Sequence, residues 1–219
     1  MLRQLLTASR PLSWVNTAYP FALTLLLLQR PLDPVLLVVG TVYFLVPYNL
    51  AMYGINDVFD YESDLRNPRK GGVEGAVLAP RYHRPILLAV LVTNVPFLAA
   101  LVLLGRPASW AVLALSVFAV IAYSAPRLRF KERPLLDSVT SSIHFVSPAG
   151  YALALSGRAP DARTLLLLAA FFCWGIASHA FGAVQDIPAD RQAGIGSVAT
   201  VVGARATVAL AFALYAAAG

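Results

Sequence analysis

Long apolar runs separated by short polar connections set the pattern of this chain. Hydrophobic stretches occupy about residues 11–29, 34–55, 85–104, 107–126, 134–156 and 164–185, and a seventh begins near Ala206 and stops at Gly219. A helix crosses the roughly 30 Å hydrocarbon core of a bilayer with about 20 apolar residues. The spacing therefore predicts six complete membrane spans and part of a seventh, in an all-α, polytopic transmembrane helical bundle forming a single domain over 1–219. The final "ATVALAFALYAAAG" is too short for a full span, so the chain is expected to end inside a helix, as a piece of a longer protein lacking its C-terminal helices. The opening "MLRQLLTASR" has no small-residue cleavage site before the next span, and the first run reads as a membrane helix rather than a signal peptide.

Composition agrees with a lipid environment. Apolar residues make up 58% of the chain and charged residues 13%, with a mean hydropathy of +0.69, whereas a soluble domain carries about 25% charged residues. The net charge of +6 is distributed unevenly. Alternating the loops puts thirteen Lys and Arg residues on the side of the N-terminus and only Arg30, Arg106, Arg158 and Arg163 on the other. The positive-inside rule then places the N-terminus and the longer loops in the cytoplasm. Topology accounts for the basic balance, and no nucleic-acid partner is implied. Acidic residues follow the same side, which topology does not require: Asp57, Asp60, Glu62, Asp64, Glu74, Glu132, Asp137, Asp186 and Asp190 all lie in or beside these loops. The single Cys173 has no disulfide partner and no metal-ligand spacing.

Two acidic clusters carry the candidate chemistry. In "NDVFDYESD" (56–64), a helix continued through residue 64 would bring Asn56, Asp57, Asp60 and Asp64 within an arc of about 100°. Tyr53 and Asn49 extend that face toward the membrane. In "QDIPAD", Asp186 and Asp190 are four apart, preceded by Gly182 and His179. Pro188 argues against a regular helix there, so the two carboxylates are expected to converge through a kink. Crowded carboxylates repel unless a cation compensates. Mg²⁺ does so with one or two carboxylates, completing its octahedron with water and substrate phosphate oxygens. Two clusters at one depth suit two or more Mg²⁺ ions around a diphosphate, with Arg66, Arg69, Lys70, Arg127, Arg129 and Lys131 available for the remaining phosphate charge.

An allylic diphosphate ionises to a carbocation that water would destroy, and a dry helical bundle protects such a species. Tyr53, Phe59, Tyr123, Phe145, Trp174 and Phe181 are candidate aromatic faces for that cation, though packing alone accounts for most of them. Asn49, Tyr53, His144, Trp174 and His179 are candidates for the prenyl and acceptor pocket. The fifth span carries an inward stripe of Asp137, Ser141, His144 and Pro148. Either His144 or Asp137 accepts a proton that ends the reaction, or both are interhelical hydrogen-bond glue. "NPRKGG" (67–72) reads either as a lid over bound diphosphate or as a plain mobile connection. His83 reads as a loop residue.

These motifs resemble those of a known family. "NDVFDYESD" has the N-D-x-x-D-x-x-x-D pattern and "DIPAD" the D-x-x-x-D pattern of the UbiA superfamily of intramembrane prenyltransferases, and "YSAPRLRFK" (123–131) is similar to the family's Tyr-to-Lys stretch. "SRPLSWVNTAYPF" (9–21) and "NDVFDYESDLRNPRKGGVEG" (56–75) resemble the lycopene elongase branch. The resemblance implies Mg²⁺ as cofactor, dimethylallyl diphosphate as donor and a terminal double bond of lycopene as acceptor. It implies Asn56, Asp60 and Asp64, with Asp57 beside them, as the first metal motif, and Asp186 and Asp190 as the second. Lys131 and one of Arg127 or Arg129 would steady the diphosphate, and Tyr123 would stand near the reacting carbon. The family has nine helices, more than this sequence supplies. Rival acceptors are an aromatic quinone precursor and a chlorophyll-type or haem molecule. A cation transporter is the alternative of a different class, although transporters place their acids near the midplane and here they collect at one interface.

Overall fold

The computed structural model describes residues 1–67, 70–71 and 77–219, which are helical apart from turns and connections. Helix α1 (Leu2–Ser9) ends where Arg10 adopts a left-handed conformation, and a 3₁₀ turn (Pro11–Ser13) leads into α2 (Val15–Leu28) across a bend of 57°. Helix α3 (Pro34–Leu45) opens with Asp33, whose side chain accepts from the Val35 and Leu36 amides, and with Pro34, which has no amide to satisfy.

The expected second span is divided. Pro47 cannot donate to the α3 carbonyls, so the chain breaks at Val46 and restarts as α4 (Pro47–Phe59). The Asn49 amide repairs the break by donating to the Phe44 carbonyl at 2.8 Å, the Leu45 carbonyl at 3.1 Å and Thr17 Oγ1 at 2.7 Å. A single-turn α5 (Tyr61–Asp64) follows. The long helices are α6 (His83–Leu103), α7 (Pro107–Ser124), α8 (Leu136–Ser156) and α9 (Ala162–Ala193), and short α10 (Val198–Val202) precedes α11 (Ala204–Ala218). Helix α9 runs unbroken through Pro188 to Ala193, so the proline does not end the helix. Pro188 is itself exposed.

Four stretches are long and apolar enough to cross a membrane, 34–59, 80–103, 107–124 and 162–193, and the bent α1–α2 pair makes a fifth. The span expected over 134–156, α8, is 21 residues long but too polar to qualify by composition. Its place in the bundle explains this. Helix α8 packs against α2, α7 and α9, and Asp137, Ser138, Thr140, Ser142, His144 and Ser147 are buried against protein. A polar stripe is tolerated at membrane depth when it faces the bundle interior. Helix α11 lies along α9.

Small residues permit the closest approaches. A Cβ on Gly40 of α3 would collide with the Phe21 ring of α2, and one on Gly175 of α9 with the Ser142 side chain of α8. Phe21, Phe44, Tyr48 and Tyr151 form an aromatic knot between α2, α3, α4 and α8, with centroid separations of 5.1 Å for Phe21–Phe44 and 5.2 Å for Phe44–Tyr48. With these helices held together, the ends of α4 and α9 face each other.

Candidate active site

A cavity of about 370 Å³ opens between those ends. Asn56, Asp60 and Asp64 line it from one side and Asp186 and Asp190 from the other, so both acidic motifs share one chamber. The continuous helix expected through residue 64 is interrupted at Asp60 (φ −103, ψ 3). The register survives because the Asp60 amide donates to the Asn56 carbonyl at 2.9 Å and the Asp64 amide to the Asp60 carbonyl at 2.8 Å. Asp57 turns elsewhere. It is fully buried, does not line the cavity, and accepts from Arg10 Nη2 at 3.0 Å. The same guanidinium stands 4.1 Å over the Tyr53 ring, so Asp57 positions Arg10 rather than facing the chamber.

Cations accompany the carboxylates at the mouth. Lys131 Nζ lies 2.7 Å from Asp60 Oδ2, and Arg129 Nη2 lies 3.3 Å from Asp60 Oδ1 while also pairing with Glu132. Asn56 donates to the same carboxylate and, at 2.9 Å, to Ser124 Oγ. Lys70 Nζ lies 3.2 Å from Asp64 Oδ1. Asp186 accepts from Asn67 Nδ2 at 3.2 Å, among other interactions, and Asp190 accepts from Ser197 Oγ at 3.3 Å. Burial pushes the Asp60 carboxyl above the ordinary aspartate range, and Lys131 opposes that push.

The remaining basic candidates separate. Lys70 and Lys131 line the cavity, whereas Arg66 and Arg127 do not. The Arg127 carbonyl instead accepts from Arg133. Arg129 reaches Asp60 from outside the chamber wall. Arg69 lies outside the described residues, as do Pro68 and Gly72 of the 67–72 segment read as a lid.

Deeper in, the chamber is neutral and hydrogen-bonded. Tyr123 Oη is 2.9 Å from His179 Nε2, His179 Nδ1 is 3.1 Å from Ser138 Oγ, and Ser138 Oγ donates to Asp137 Oδ1 at 3.3 Å. Asp137 Oδ2 accepts the Val198 amide at 2.7 Å, so this buried carboxylate ties α8 to the start of α10. Of the two readings for Asp137, the structure supports glue. The Tyr123 and His144 rings meet edge to face with centroids 5.2 Å apart. Asn49 does not line the cavity, because its amide is spent on the break between α3 and α4. His83 bonds the Leu78 carbonyl.

A second, mostly apolar cavity of about 450 Å³ adjoins the first and shares Ser141, Phe145, Ser178 and His179 with it. Tyr19 of α2 and Trp174 of α9 line it while remaining 59% and 47% exposed, so it opens on the lipid-facing side of the bundle. Phe59 and Phe181 line neither cavity.

Among the described residues, no three His, Cys, Asp or Glu side chains form a closed metal cage. Mg²⁺ does not need one: it takes one or two carboxylates and fills its shell with water and phosphate oxygens. The oxygen-only acidic donors on facing walls fit that requirement, with Asn56 as a further carbonyl donor.

Sequence reasoning missed the structural part played by Arg10, counted only for orientation, and by Asn67, Ser124 and Ser138. Ser197 could have been found. With Thr200 three residues later it makes a capping box at the start of α10, a pattern readable from "GSVAT".

The description "UbiA prenyltransferase family" matches residues 17–219. The chain is 55% identical over 214 residues to a lycopene elongase/hydratase of Corynebacterium glutamicum, covering 98% of this chain and 74% of that protein. It is 60% identical over 218 residues to the C(50) beta-cyclic carotenoids biosynthesis protein LbtBC of a Dietzia species, covering 100% of this chain and 50% of that protein. In three dimensions it resembles a UbiA homologue from Archaeoglobus fulgidus bound to DMAPP and Mg²⁺, with a TM-score of 0.77 at 20% identity over 98% of this chain and 74% of the other. It also resembles an apo UbiA homologue from Aeropyrum pernix, with a TM-score of 0.70 at 23% identity over 93% and 75% of the respective chains. The two structural likenesses establish a shared fold.

Proposed function

This chain belongs to the UbiA prenyltransferase family, and from that premise we propose that it transfers the prenyl group of dimethylallyl diphosphate to a terminal double bond of lycopene or a related carotenoid. The protein is an integral, multi-pass membrane prenyltransferase. The observation that carries the finer reading is the meeting of both acidic motifs, with Lys70 and Lys131, in a chamber that adjoins an apolar, lipid-facing one. The names of the relatives from Corynebacterium and Dietzia support a carotenoid acceptor.

In this reading Asn56, Asp60, Asp64, Asp186 and Asp190 hold Mg²⁺. The bound metal neutralises the diphosphate and makes it a better leaving group. Lys131 and Lys70 bind the phosphate charge that remains, and Asn67 bridges the mouth to Asp186. The allylic C–O bond breaks with its electron pair leaving on the diphosphate. Tyr53, Tyr123 and Phe145 present ring faces to the cationic carbon and keep water from it. The acceptor occupies the cavity beside Phe145 and Trp174, where its π pair forms the new C–C bond. The mouth and the N-terminus face the cytoplasm, on the side rich in Lys and Arg.

Membranes containing the protein, incubated with dimethylallyl diphosphate and each acceptor in turn, test this. Diphosphate release that needs both Mg²⁺ and lycopene is expected. Prenylation of a hydroxybenzoate or naphthoate with lycopene untouched would overturn the carotenoid assignment.

A further inference from the structure

Resting on that reading, we propose that Phe145 sets the length of the prenyl donor, closing the chamber behind a five-carbon chain and excluding a ten-carbon one. The chamber and the apolar cavity beside it share four lining residues, Ser141 and Phe145 of α8 and Ser178 and His179 of α9. These side chains form the partition between the two spaces. Along α9 the acids Asp190 and Asp186 mark the mouth, Gly182 and His179 line the chamber below them, and Gly175 and Trp174 belong to the second cavity alone. At a rise of about 1.5 Å per residue, about 10 Å of helix separates Asp186 from His179. A donor whose diphosphate is held at the acids has that depth for its phosphorus–oxygen chain and one isoprene unit. A second isoprene unit has to cross the partition.

Helix packing holds the partition narrow. Ser142 Oγ donates to the Phe172 carbonyl at 2.7 Å, and Ser138 Oγ is 3.1 Å from His179 Nδ1, so two hydrogen bonds tie α8 to α9. Gly175 lets the two helices meet so closely that a Cβ there would collide with the Ser142 side chain. Parting the helices would break these contacts, and the width of the opening therefore rests with the side chains.

Three of the four leave little to decide. His179 is fixed, its ring nitrogens bonded to Tyr123 and Ser138. Ser178 is small and bonded to Tyr215 Oη at 2.9 Å, and Ser141 is equally small. Phe145 has the bulk to fill the opening, and it is partly buried and packed against the apolar core. Its ring stands where the next carbons of a longer chain would pass. The second cavity beyond has a volume of about 450 Å³ and mostly apolar walls. Burying apolar surface is favourable, so a longer donor gains affinity once the ring is removed. The same ring keeps the donor's tail out of the space the acceptor uses.

The experiment measures binding of dimethylallyl diphosphate and of geranyl diphosphate, each with Mg²⁺, to the full-length protein in lipid nanodiscs without acceptor. Binding is read rather than turnover because Phe145 also faces the cationic carbon. Wild type should hold geranyl diphosphate at least about tenfold more weakly than dimethylallyl diphosphate. Phe145→Ala should shift the affinity ratio toward geranyl diphosphate by about 10–200-fold, the range over which a closed apolar pocket discriminates a misfitting group. Phe145→Leu should shift it less, in the same direction. Met52→Ala enlarges the chamber from α4, since Met52 does not line the second cavity, and should leave the ratio within about threefold of wild type. An unchanged ratio in both Phe145 variants overturns the proposal. So does equal binding of the two donors by wild type, or an equal shift in Met52→Ala, which would make total volume the determinant. A wild type that binds neither diphosphate overturns the proposal together with the prenyltransfer reading. Because no acceptor is present, a failure of lycopene prenylation in the separate assay is a distinct result.

Discussion

At the mouth of the chamber, Asp60 is met by Lys131 and Arg129 and Asp64 by Lys70. Deeper in, Tyr123, His179 and Ser138 are neutral groups joined in a chain to a single carboxylate, Asp137, which backbone amides hold. Charge is affordable at the membrane surface, where water and counter-cations screen it, and it is where a diphosphate must be gripped. A carbocation deeper in would be quenched by a loose anion or a stray water, so polar groups there are useful only if their protons and lone pairs are assigned. The contrast separates binding and leaving-group chemistry from cation handling within one cavity.

Breaking the mouth should have the largest effect. Asp60→Ala or Asp190→Ala should lower turnover about 10³-fold or more, because several kcal/mol of charge stabilisation is lost, with membrane insertion unchanged. Chelation by EDTA should do the same, reversed by added Mg²⁺. Prenyl-transfer assays alongside membrane fractionation check both, and normal turnover in the two variants would remove the metal-site assignment. Lys131→Ala should cost about 10–100-fold, seen mainly as weaker use of the diphosphate, since one charge-assisted contact is worth about 1.5–3 kcal/mol. Steady-state kinetics against donor concentration would reveal it.

Away from the chamber the effects should move from rate to stability. Asn49→Leu leaves the Leu45 carbonyl unpaired at the break between α3 and α4, while the Phe44 carbonyl keeps only the Thr17 hydroxyl, and should cost about 1–3 kcal/mol of stability with kcat preserved in the folded fraction. Thermal unfolding in detergent measures this; a fall in kcat at unchanged stability would return Asn49 to the active site. The smallest effect belongs to Glu132, whose carboxyl is held below the ordinary glutamate range by its hydrogen bond with Arg129. A depressed carboxylate stabilises the fold above its unfolded pKa, and that contribution disappears as pH falls through the folded value. Glu132→Gln should therefore lower stability by about 0.2–1 kcal/mol near neutrality and match wild type in strong acid. A loss that persists in acid would contradict the ion-pair origin.

Much of this was legible before any coordinates. Apolar runs mark most of the helices, and the four-residue spacings of Asn56, Asp60 and Asp64 predict the shared face that lines the chamber. Other features were hidden because they depend on what stands opposite. Asp57 is one residue from Asn56, yet Arg10 draws it away from the cavity. Helix α8 is misjudged by hydropathy because α2, α7 and α9 replace lipid around it. Pro47 divides a run that reads as one span, and Asn49, read as a pocket residue, mends the division.

By itself the sequence determined the helices, the gathering of both charge signs at one interface, and the two acidic motifs, since these follow from local periodicity and from lipid's exclusion of charge. The tertiary structure alone decided which acid meets which cation, that α4 and α9 end at one chamber, and that Tyr123, His179 and Ser138 are joined in one hydrogen-bonded chain. Hydrogen bonds and ion pairs act over a few ångströms between residues tens to more than a hundred positions apart, and only packing brings such residues within reach.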